Sequence, residues 1–341
     1  MRAAVAAGHG VVTAPRLREL GIEERQLQRW VRTGVLVRLR RGVYTTADLW
    51  SGWDEFHGRP LVRIRAAHVA LTVDHAFSHD SAGVVRRLRL LRPQHSAIHI
   101  SRQDLRGRRT RYGIEHHGAE VDPSRVQVVD GLPVLDTPRT VIDLAREHGY
   151  LAGLVAADGA LADGLPREEL ERALAEVRGW PFSLTVRAVL EDADEGAESA
   201  GETLSRDLVS TTLGVRPETQ FPVLTRRGVR WADLRVGRHL FEFDGRIKYR
   251  SVRDGGVADR ELEEILWEER RRGVEVTDEA FGLTRLVYAD HFEPARASAE
   301  ERIRREHADT TRRFGTELTA EQAAVAARLR RLRAARRGMT G

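Results

Sequence analysis

The sequence brings three acidic residues close together in the C-terminal half of the chain. Segments 229–236 and 239–244 alternate apolar and polar residues and are joined by two turn residues, which predicts a β-hairpin. In that hairpin Asp233 faces Glu242, and Asp244 follows on the same face. Neighbouring carboxylates repel each other, and a divalent cation would resolve the repulsion. Because oxygen ligands favour Mg²⁺ or Mn²⁺, the predicted metal ligands are Asp233, Glu242 and Asp244.

The same hairpin predicts which residues face the interior. Its register pairs Val236 with His239 and Leu234 with Phe241. The period of two puts Leu234, Val236, Phe241 and Phe243 on one face, opposite the carboxylates. We expect this apolar face to pack against the core.

One cation and one further acid are predicted near these carboxylates. Lys248 is the single lysine among 56 basic residues, and a compact ammonium can sit beside a phosphate or a water where a planar guanidinium cannot. The alternative is that Lys248 survived by chance. Upstream, a predicted helix over 198–213 carries Glu202 on a face separate from its leucine stripe. Glu202 is the candidate fourth acid of the cluster.

A helix with Glu, a strand with Asp, a strand with Glu and then a lysine resemble the PD-(D/E)XK nuclease superfamily, specifically endonuclease-like domains related to very-short-patch-repair enzymes. The matching residues span about 196–290: Glu202, Gln220, Asp233, Glu242-Phe243-Asp244-Gly245, Lys248-Tyr249, Glu268-Glu269-Arg270-Arg271 and Arg285. The resemblance implies Mg²⁺-dependent phosphodiester hydrolysis, in which Asp233 and Glu242 hold the metal. It also implies that Lys248 stabilises negative charge or positions the water.

The lysine departs from the superfamily pattern. Asp244 occupies the usual E-x-K lysine position, and Lys248 comes four residues later. The alternative interpretation is an inactive fold kept as a scaffold or a DNA-binding surface. In that case the acids form ion pairs with Arg235 and Arg246.

The N-terminal segment has the pattern of two short helices. Thr13 before Ala14-Pro15 predicts an N-cap, and Gly21 ends the first helix. The second helix is predicted from about Glu23 to Thr33, before Gly34. Its apolar face consists of Leu27, Trp30 and Val31, and its opposite face of Arg25, Gln28, Arg29 and Arg32. The apolar face suits packing against the rest of the domain, and the cationic face suits binding in a groove of DNA.

A predicted strand pair follows over 35–44, and its turn region carries Arg38, Arg40 and Arg41. This layout is that of a winged helix-turn-helix. It resembles the winged-helix domain of the abortive-infection type IV antitoxin family, in which such a domain precedes a mixed α/β segment. The resemblance implies that these arginines and the polar helix face bind DNA, and the alternative is that they form only a solvated surface.

Charge and composition bound the class of protein. Residues 1–112 hold 21 arginines against 9 acids, although the whole chain has a net charge of only +5. The front third is therefore expected to face a polyanion. The absence of cysteine excludes disulfides and thiolate sites. The apolar runs are shorter than a membrane span, so a cytoplasmic protein with no membrane partner is expected.

The middle of the chain offers histidines and a basic cluster. A strand is predicted at 97–100 and helices at 137–145, 150–160 and 166–177. His79 and His99 lack a carboxylate at ligand spacing, which favours structural roles over metal binding. The cluster from Arg106 to Arg111 is expected to be a basic loop that touches phosphates.

These patterns predict a multidomain α/β protein. The expected domains are a winged helix-turn-helix over 1–50, an antitoxin-like α+β domain over 51–190, a restriction-endonuclease-like α/β core over 196–295 and a basic helical tail over 296–341. A tail helix should restart at Thr319 with Gln322 in a capping box. The tail could pack on the body, pair with another chain or grip nucleic acid.

Two functions remain open from the sequence. The first is a DNA-binding protein with a Mg²⁺- or Mn²⁺-dependent endonuclease domain. The second is an antitoxin-like transcriptional repressor with an inactive nuclease-like domain, for which an operator and a toxin protein are the expected partners. Both functions require DNA as a partner, and the sequence leaves the oligomeric state open.

Overall fold

The computed structural model describes residues 1–91, 97–245 and 275–338. The chain divides into two compact units, Met1–Ala193 and Asp194–Gly341. Lys248, Arg246, Tyr249 and the segment 268–271 lie outside the described residues. None of the described helices has the combination of length and apolar character that crossing a membrane requires.

The first unit begins with short helices around a three-stranded sheet. The elements are α1 (Arg2–Ala7), β1 (Val12–Thr13), α2 (Ala14–Glu19), α3 (Glu24–Arg32), β2 (Leu36–Arg40), β3 (Val43–Thr46), α4 (Ala47–Gly52) and α5 (Gly58–Ala70). The sheet order is β1-β3-β2, and both pairings are antiparallel. Thr13 caps α2 by accepting from the Arg16 amide at 3.3 Å, so the predicted start of the first helix is confirmed.

The rest of the first unit contains a six-stranded mixed sheet and five helices. The elements are β4 (Ala76–Phe77), α6 (His79–Val85), β5 (Ile98–Arg102), β6 (Gly107–Arg111), β7 (Ile114–Gly118), β8 (Val126–Val129), β9 (Leu132–Leu135), α7 (Thr137–His148), α8 (Tyr150–Ala162), α9 (Arg167–Glu176) and α10 (Ser183–Asp192). The sheet order is β6-β7-β5-β4-β9-β8. The predicted strand at 97–100 and the three predicted helices are confirmed.

Two apolar clusters hold this sheet and its helices in place. Phe77 and Ile100 are fully buried under α6, while Leu144 and Leu154 are buried where α7 meets α8. Helix α7 begins at an N-cap, Asp136, whose carboxylate accepts from the Arg139 amide at 3.0 Å. This apolar packing holds α6, β5, β7 and α7 close together.

The second unit is a four-stranded sheet with flanking helices. Its elements are α11 (Ala200–Leu213), β10 (Glu218–Thr225), β11 (Gly228–Val236), β12 (His239–Asp244), β13 (Gly282–Val287), α12 (Ala295–Phe314) and α13 (Ala320–Gly338). The sheet order is β10-β11-β12-β13, and only the β12–β13 pairing is parallel. Leu234 and Phe241 are buried in one cluster with residues of α11 and α12, and Val236 packs against it, as predicted. Phe243 is half-buried, and Leu240 is buried in a second cluster, so the sheet buries both of its faces.

The hairpin and the tail follow the sequence pattern. Leu234 pairs with Phe241 and Val236 with His239, so the predicted register is confirmed for these pairs. Thr319 and Gln322 form the predicted capping box through hydrogen bonds of 3.0 and 3.1 Å. The tail helix α13 packs on the sheet of the second unit, which is the first of the three alternatives for the tail. Its Ala326 is buried in a cluster with residues of β10 and β11.

Two arginines of α13 add polar contacts to the strands. Arg330 forms an ion pair with Glu218 at 2.9 Å. Arg333 lies over the Trp231 ring at 4.3 Å and donates to the Gln220 side chain at 2.9 Å. These basic side chains are therefore engaged within the second unit.

We predict that Gly201→Ala destabilises the second unit. A Cβ at this position in α11 would collide with the Phe243 ring, and overpacking of this kind costs about 1–3 kcal/mol. An unobstructed Gly→Ala change inside a helix would instead stabilise it by up to about 1 kcal/mol. Urea denaturation measures the effect, and Gly52→Ala in α4 is the control because no atom lies within 4 Å of its Cβ. An unchanged or increased stability of Gly201→Ala would contradict the packing described above.

Candidate functional site

Helix α3 has one buried face and one exposed polar face. Leu27 is 3 % exposed and packs with Leu17 and Leu36, while Trp30 and Val31 are half-buried against the same cluster. The exposed residues on the other side are Arg25, Gln28, Arg29 and Arg32. The structure therefore brings together the four predicted residues of the helix.

The three arginines of the β2–β3 hairpin differ in their surroundings. Arg38 and Arg41 are exposed. Arg40 is half-buried and donates from Nη2 to the carbonyl oxygen of Tyr112, in the turn between β6 and β7. Burial lowers the pKa of Arg40. Arg38 and Arg41 thus remain at the surface, whereas Arg40 connects the hairpin to the six-stranded sheet.

The exposed arginines of α3 and the hairpin form a cationic surface. Among the described residues, no ion pair involves Arg25, Arg29, Arg32, Arg38 or Arg41. The predicted basic loop at 106–111 is instead largely strand β6, whose residues are exposed. Its Arg108 pairs with Glu115 at 3.0 Å and with Glu147 at 2.8 Å, and its Arg111 guanidinium lies over the Tyr112 ring at 5.0 Å. Arginines without acidic partners attract phosphates. The Gln28 side-chain amide donates to Glu24 Oε1 at 3.2 Å, and to make bidentate hydrogen bonds to a base edge it would have to exchange this exposed contact.

The predicted carboxylates of the second unit lie in a polar row across its sheet. The register places Glu242 beside Arg285 and, continued by one residue, places Asp233 beside Glu242. Asp233 Oδ2 accepts from the Phe243 amide at 2.7 Å, and Glu242 Oε2 lies 3.9 Å from Arg285 Nε. Of the two arginines predicted to pair with these acids, Arg235 instead pairs with Glu218 on β10, and Arg246 lies outside the described residues.

Glu202 is part of the start of helix α11. Ser199 Oγ accepts from the Glu202 amide at 3.2 Å, and Glu202 Oε2 accepts from the Glu198 amide at 2.8 Å. The Gln220 side-chain amide also donates to Glu202, at 3.2 Å. The Ser199 hydroxyl also donates to Glu202 Oε1 at 2.9 Å. Glu202 therefore stabilises the start of α11 and links this helix to β10.

Three histidines form a separate cluster in the first unit. His79 begins α6, His99 lies on β5 and His117 lies on β7. One ring nitrogen of each lies within 4.8 Å of the others, and this is the only such group of three among the described residues. The site formed by Asp233, Glu242 and Asp244, with Mg²⁺ or Mn²⁺, stays a prediction.

The Asp80 carboxylate lies close to His99 of the cluster and to His148, a contact that local spacing did not predict. Asp80 Oδ2 lies 3.7 Å from His99 Nε2 and 2.5 Å from His148 Nε2. His79 Nδ1 lies 2.9 Å from Ser78 Oγ, and His99 Nδ1 lies 2.9 Å from His117 Nε2. Sequence reasoning missed His117 and Asp80 as partners. The available signal was the concentration of histidines between 79 and 148.

Burial determines the protonation of this cluster. Desolvation lowers the pKa of His99 to about 4 and lowers that of His79 well below its usual value. Burial also lowers the pKa of His117. His148 differs, because its hydrogen bond to Asp80 raises its pKa. At neutral pH the three clustered imidazoles are therefore uncharged.

Similarity to known proteins covers much of the chain. Residues 1–47 match a family model described as "Transcriptional regulator, AbiEi antitoxin". "Uncharacterized protein Rv2248" and "Uncharacterized protein MT2308", from two strains of Mycobacterium tuberculosis, are each 30% identical over 213 residues, which is 60% of this chain and 71% of each relative. The chain belongs to the family of these mycobacterial proteins. The antitoxin-regulator match covers α1 to α3 and the β2–β3 hairpin.

We predict that the first unit loses stability in acid because of His99. Its folded pKa of about 4 lies below the value of about 6.5 in the unfolded chain, so unfolding takes up a proton between these values. The stabilisation is complete above about pH 6.5 and falls, by up to about 3 kcal/mol, as the pH drops to 4. The contribution of His148 to the pH dependence of stability has the opposite sign, because its hydrogen bond to Asp80 raises its pKa.

Urea unfolding at pH 7.5 and 5.0, in chelator and followed by tryptophan fluorescence, measures this loss. Four of the six tryptophans belong to the first unit. We expect His99→Gln to reduce the pH dependence and His9→Gln, at an exposed position, to leave it unchanged. An equally steep loss in His99→Gln would refute the assignment.

Proposed function

We propose that this protein is a DNA-binding transcriptional regulator of the antitoxin type. The observation that carries the proposal is the exposed face of α3, where Arg25, Gln28, Arg29 and Arg32 lie opposite the buried Leu27. The family match of residues 1–47 to a transcriptional regulator supports it. We propose that this segment acts as a winged helix-turn-helix, with α3 as the recognition helix.

The proposed binding mode divides the work between helix and hairpin. Helix α3 enters the major groove, where Gln28 reads adenine and the arginines contact guanine or phosphates. Arg38 and Arg41 of the hairpin contact the flanking backbone. Arg40 holds the hairpin through Tyr112 and is proposed to act on DNA only indirectly. A toxin protein is the further proposed partner.

We predict that substitutions in α3 weaken and alter DNA recognition. In vitro selection from random duplexes gives the preferred site, and fluorescence anisotropy on that site measures the affinity. Arg29→Ala and Gln28→Ala should each cost about 1–3 kcal/mol of binding, and Gln28→Ala should relax the preference at one base pair. Arg187→Ala is the matched control, because Arg187 is an exposed arginine of α10 in the same unit.

The expected order of affinity is wild type equal to Arg187→Ala, followed by the two α3 variants. Selection that yields no preferred sequence, or equal affinities of all four proteins, would refute α3 as the recognition element. Circular dichroism checks that the variants are folded.

A second candidate function is metal-dependent DNA cleavage by the second unit. It is favoured by the row in which Asp233 and Glu242 lie on adjacent strands, with Glu202 linked to the neighbouring β10 through Gln220. We propose that Asp233, Glu242 and Asp244 would hold Mg²⁺ or Mn²⁺ for this reaction. The same acids also have structural contacts, because Asp233 accepts a hydrogen bond from the Phe243 amide and Glu242 forms an ion pair with Arg285.

Plasmid nicking separates these two uses of the carboxylates. If the second unit is a nuclease, the wild type should nick supercoiled plasmid with Mg²⁺ or Mn²⁺, and Asp233→Asn and Lys248→Ala should each lower the rate at least about 100-fold. Asp309→Asn, at an exposed position of α12, is the control. No nicking by the wild type, or equal nicking by all variants, would leave the regulator as the function of the whole chain.

A further inference from the structure

The histidine cluster combines residues from three elements that are distant in sequence. Helix α6 supplies His79, and strands β5 and β7, which pair in parallel, supply His99 and His117. His79 is 5 % exposed and His99 is 3 % exposed. Burying several imidazoles costs desolvation free energy, and their contacts with each other provide little apolar burial in return. A packing role alone therefore does not account for this arrangement.

Hydrogen bonds and nearby charges indicate which ring nitrogen of each histidine could bind a metal. Ser78 Oγ occupies Nδ1 of His79, so its Nε2 remains, and Asp80 lies next to Nε2 of His99, so its Nδ1 remains. His117 directs its Nε2 at His99 Nδ1 from 2.9 Å. A carboxylate behind a histidine fixes the tautomer and raises its basicity as a metal ligand.

We propose that His79, His99 and His117 bind one divalent transition-metal ion of the Zn²⁺ class. Metal–nitrogen bonds of about 2.0–2.1 Å require ligand nitrogens about 3.4 Å apart in a tetrahedral site. One ring nitrogen of each histidine lies within 4.8 Å of the others. The rings are stacked, with centroids 4.0–5.2 Å apart, so metal binding requires the side chains to rotate until these nitrogens point at one ion. Three histidines leave the fourth position for water or another ligand.

An open cavity adjoins the cluster and would give a fourth ligand access to the metal. The cavity has a volume of about 720 Å³ and is lined by His79, His117, Ser101 and Asp143. Asp143 is fully buried, and its Oδ2 has no hydrogen-bond partner, although Oδ1 accepts from Arg139 at 3.0 Å. The buried Ser101 hydroxyl also lacks a partner. Both atoms are buried from solvent, so a water in the cavity would reach them only if these side chains rotate.

The ligand type selects the metal. Neutral imidazoles suit Zn²⁺, Co²⁺, Ni²⁺ and Cu²⁺, whereas Mg²⁺ prefers oxygen ligands and retains its waters. The site is therefore chemically distinct from the carboxylate row of the second unit.

Co²⁺ titration of the metal-free full chain tests the proposal. We expect one Co²⁺ per chain with visible d–d bands, displacement by Zn²⁺ and no competition from millimolar Mg²⁺. His117→Asn should lower the Co²⁺ affinity at least about 100-fold, and Asp80→Asn about 10–100-fold through loss of the orienting carboxylate. Zn²⁺ X-ray absorption of the wild type should show about three imidazole ligands.

His75→Asn is the matched control. His75 forms a pair with His68, whose Nδ1 lies 3.2 Å from His75 Nε2, in the same unit but outside the cluster. Its Co²⁺ affinity should equal that of the wild type. The proposal is overturned if the wild type binds no Co²⁺, if folded His117→Asn binds with unchanged affinity, or if His75→Asn abolishes binding.

Discussion

The burial of Leu27 is the constraint on which the N-terminal surface depends. Leu27 packs with Leu17 and Leu36, and burial of such a side chain contributes about 1.5–3 kcal/mol. Because an α-helix has 3.6 residues per turn, fixing this face inside directs Arg25, Gln28, Arg29 and Arg32 to the solvent. The cationic surface is thus a consequence of core packing, and its arginines carry no acidic partner among the described residues.

The sequence predicted the parts of the structure that local rules determine. The Thr13 cap and the Thr319–Gln322 capping box follow from a spacing of three residues, and the register of Leu234 with Phe241 follows from a two-residue turn. The histidine cluster could not be predicted this way, because the parallel pairing of β5 with β7 brings His117 to His99. The contact of Arg40 with Tyr112 likewise depends on long-range packing.

The two units hold polar clusters of different chemistry. In the first unit, uncharged imidazoles lie near Asp80 and an open cavity, which suits a nitrogen-ligated metal. In the second unit, the Asp233 carboxylate accepts a hydrogen bond from the Phe243 amide, and the Glu242 carboxylate lies beside Arg285. Such contacts stabilise the sheet whether or not a metal binds there. The order of the acidic residues along the chain therefore predicted a nuclease-like cluster, but it could not distinguish a catalytic from a structural role for these carboxylates.

The salt dependence of DNA affinity tests the central claim most directly. Each phosphate contact contributes about −0.9 to the slope of log Kobs against log salt concentration. If Arg25, Arg29, Arg32, Arg38 and Arg41 contact the backbone as well as bases, the slope should lie between about −3 and −5. A variant with Arg25, Arg29 and Arg32 replaced by Gln should lose about 2–3 units of slope. A slope near zero, or one that this variant leaves unchanged, would contradict the account.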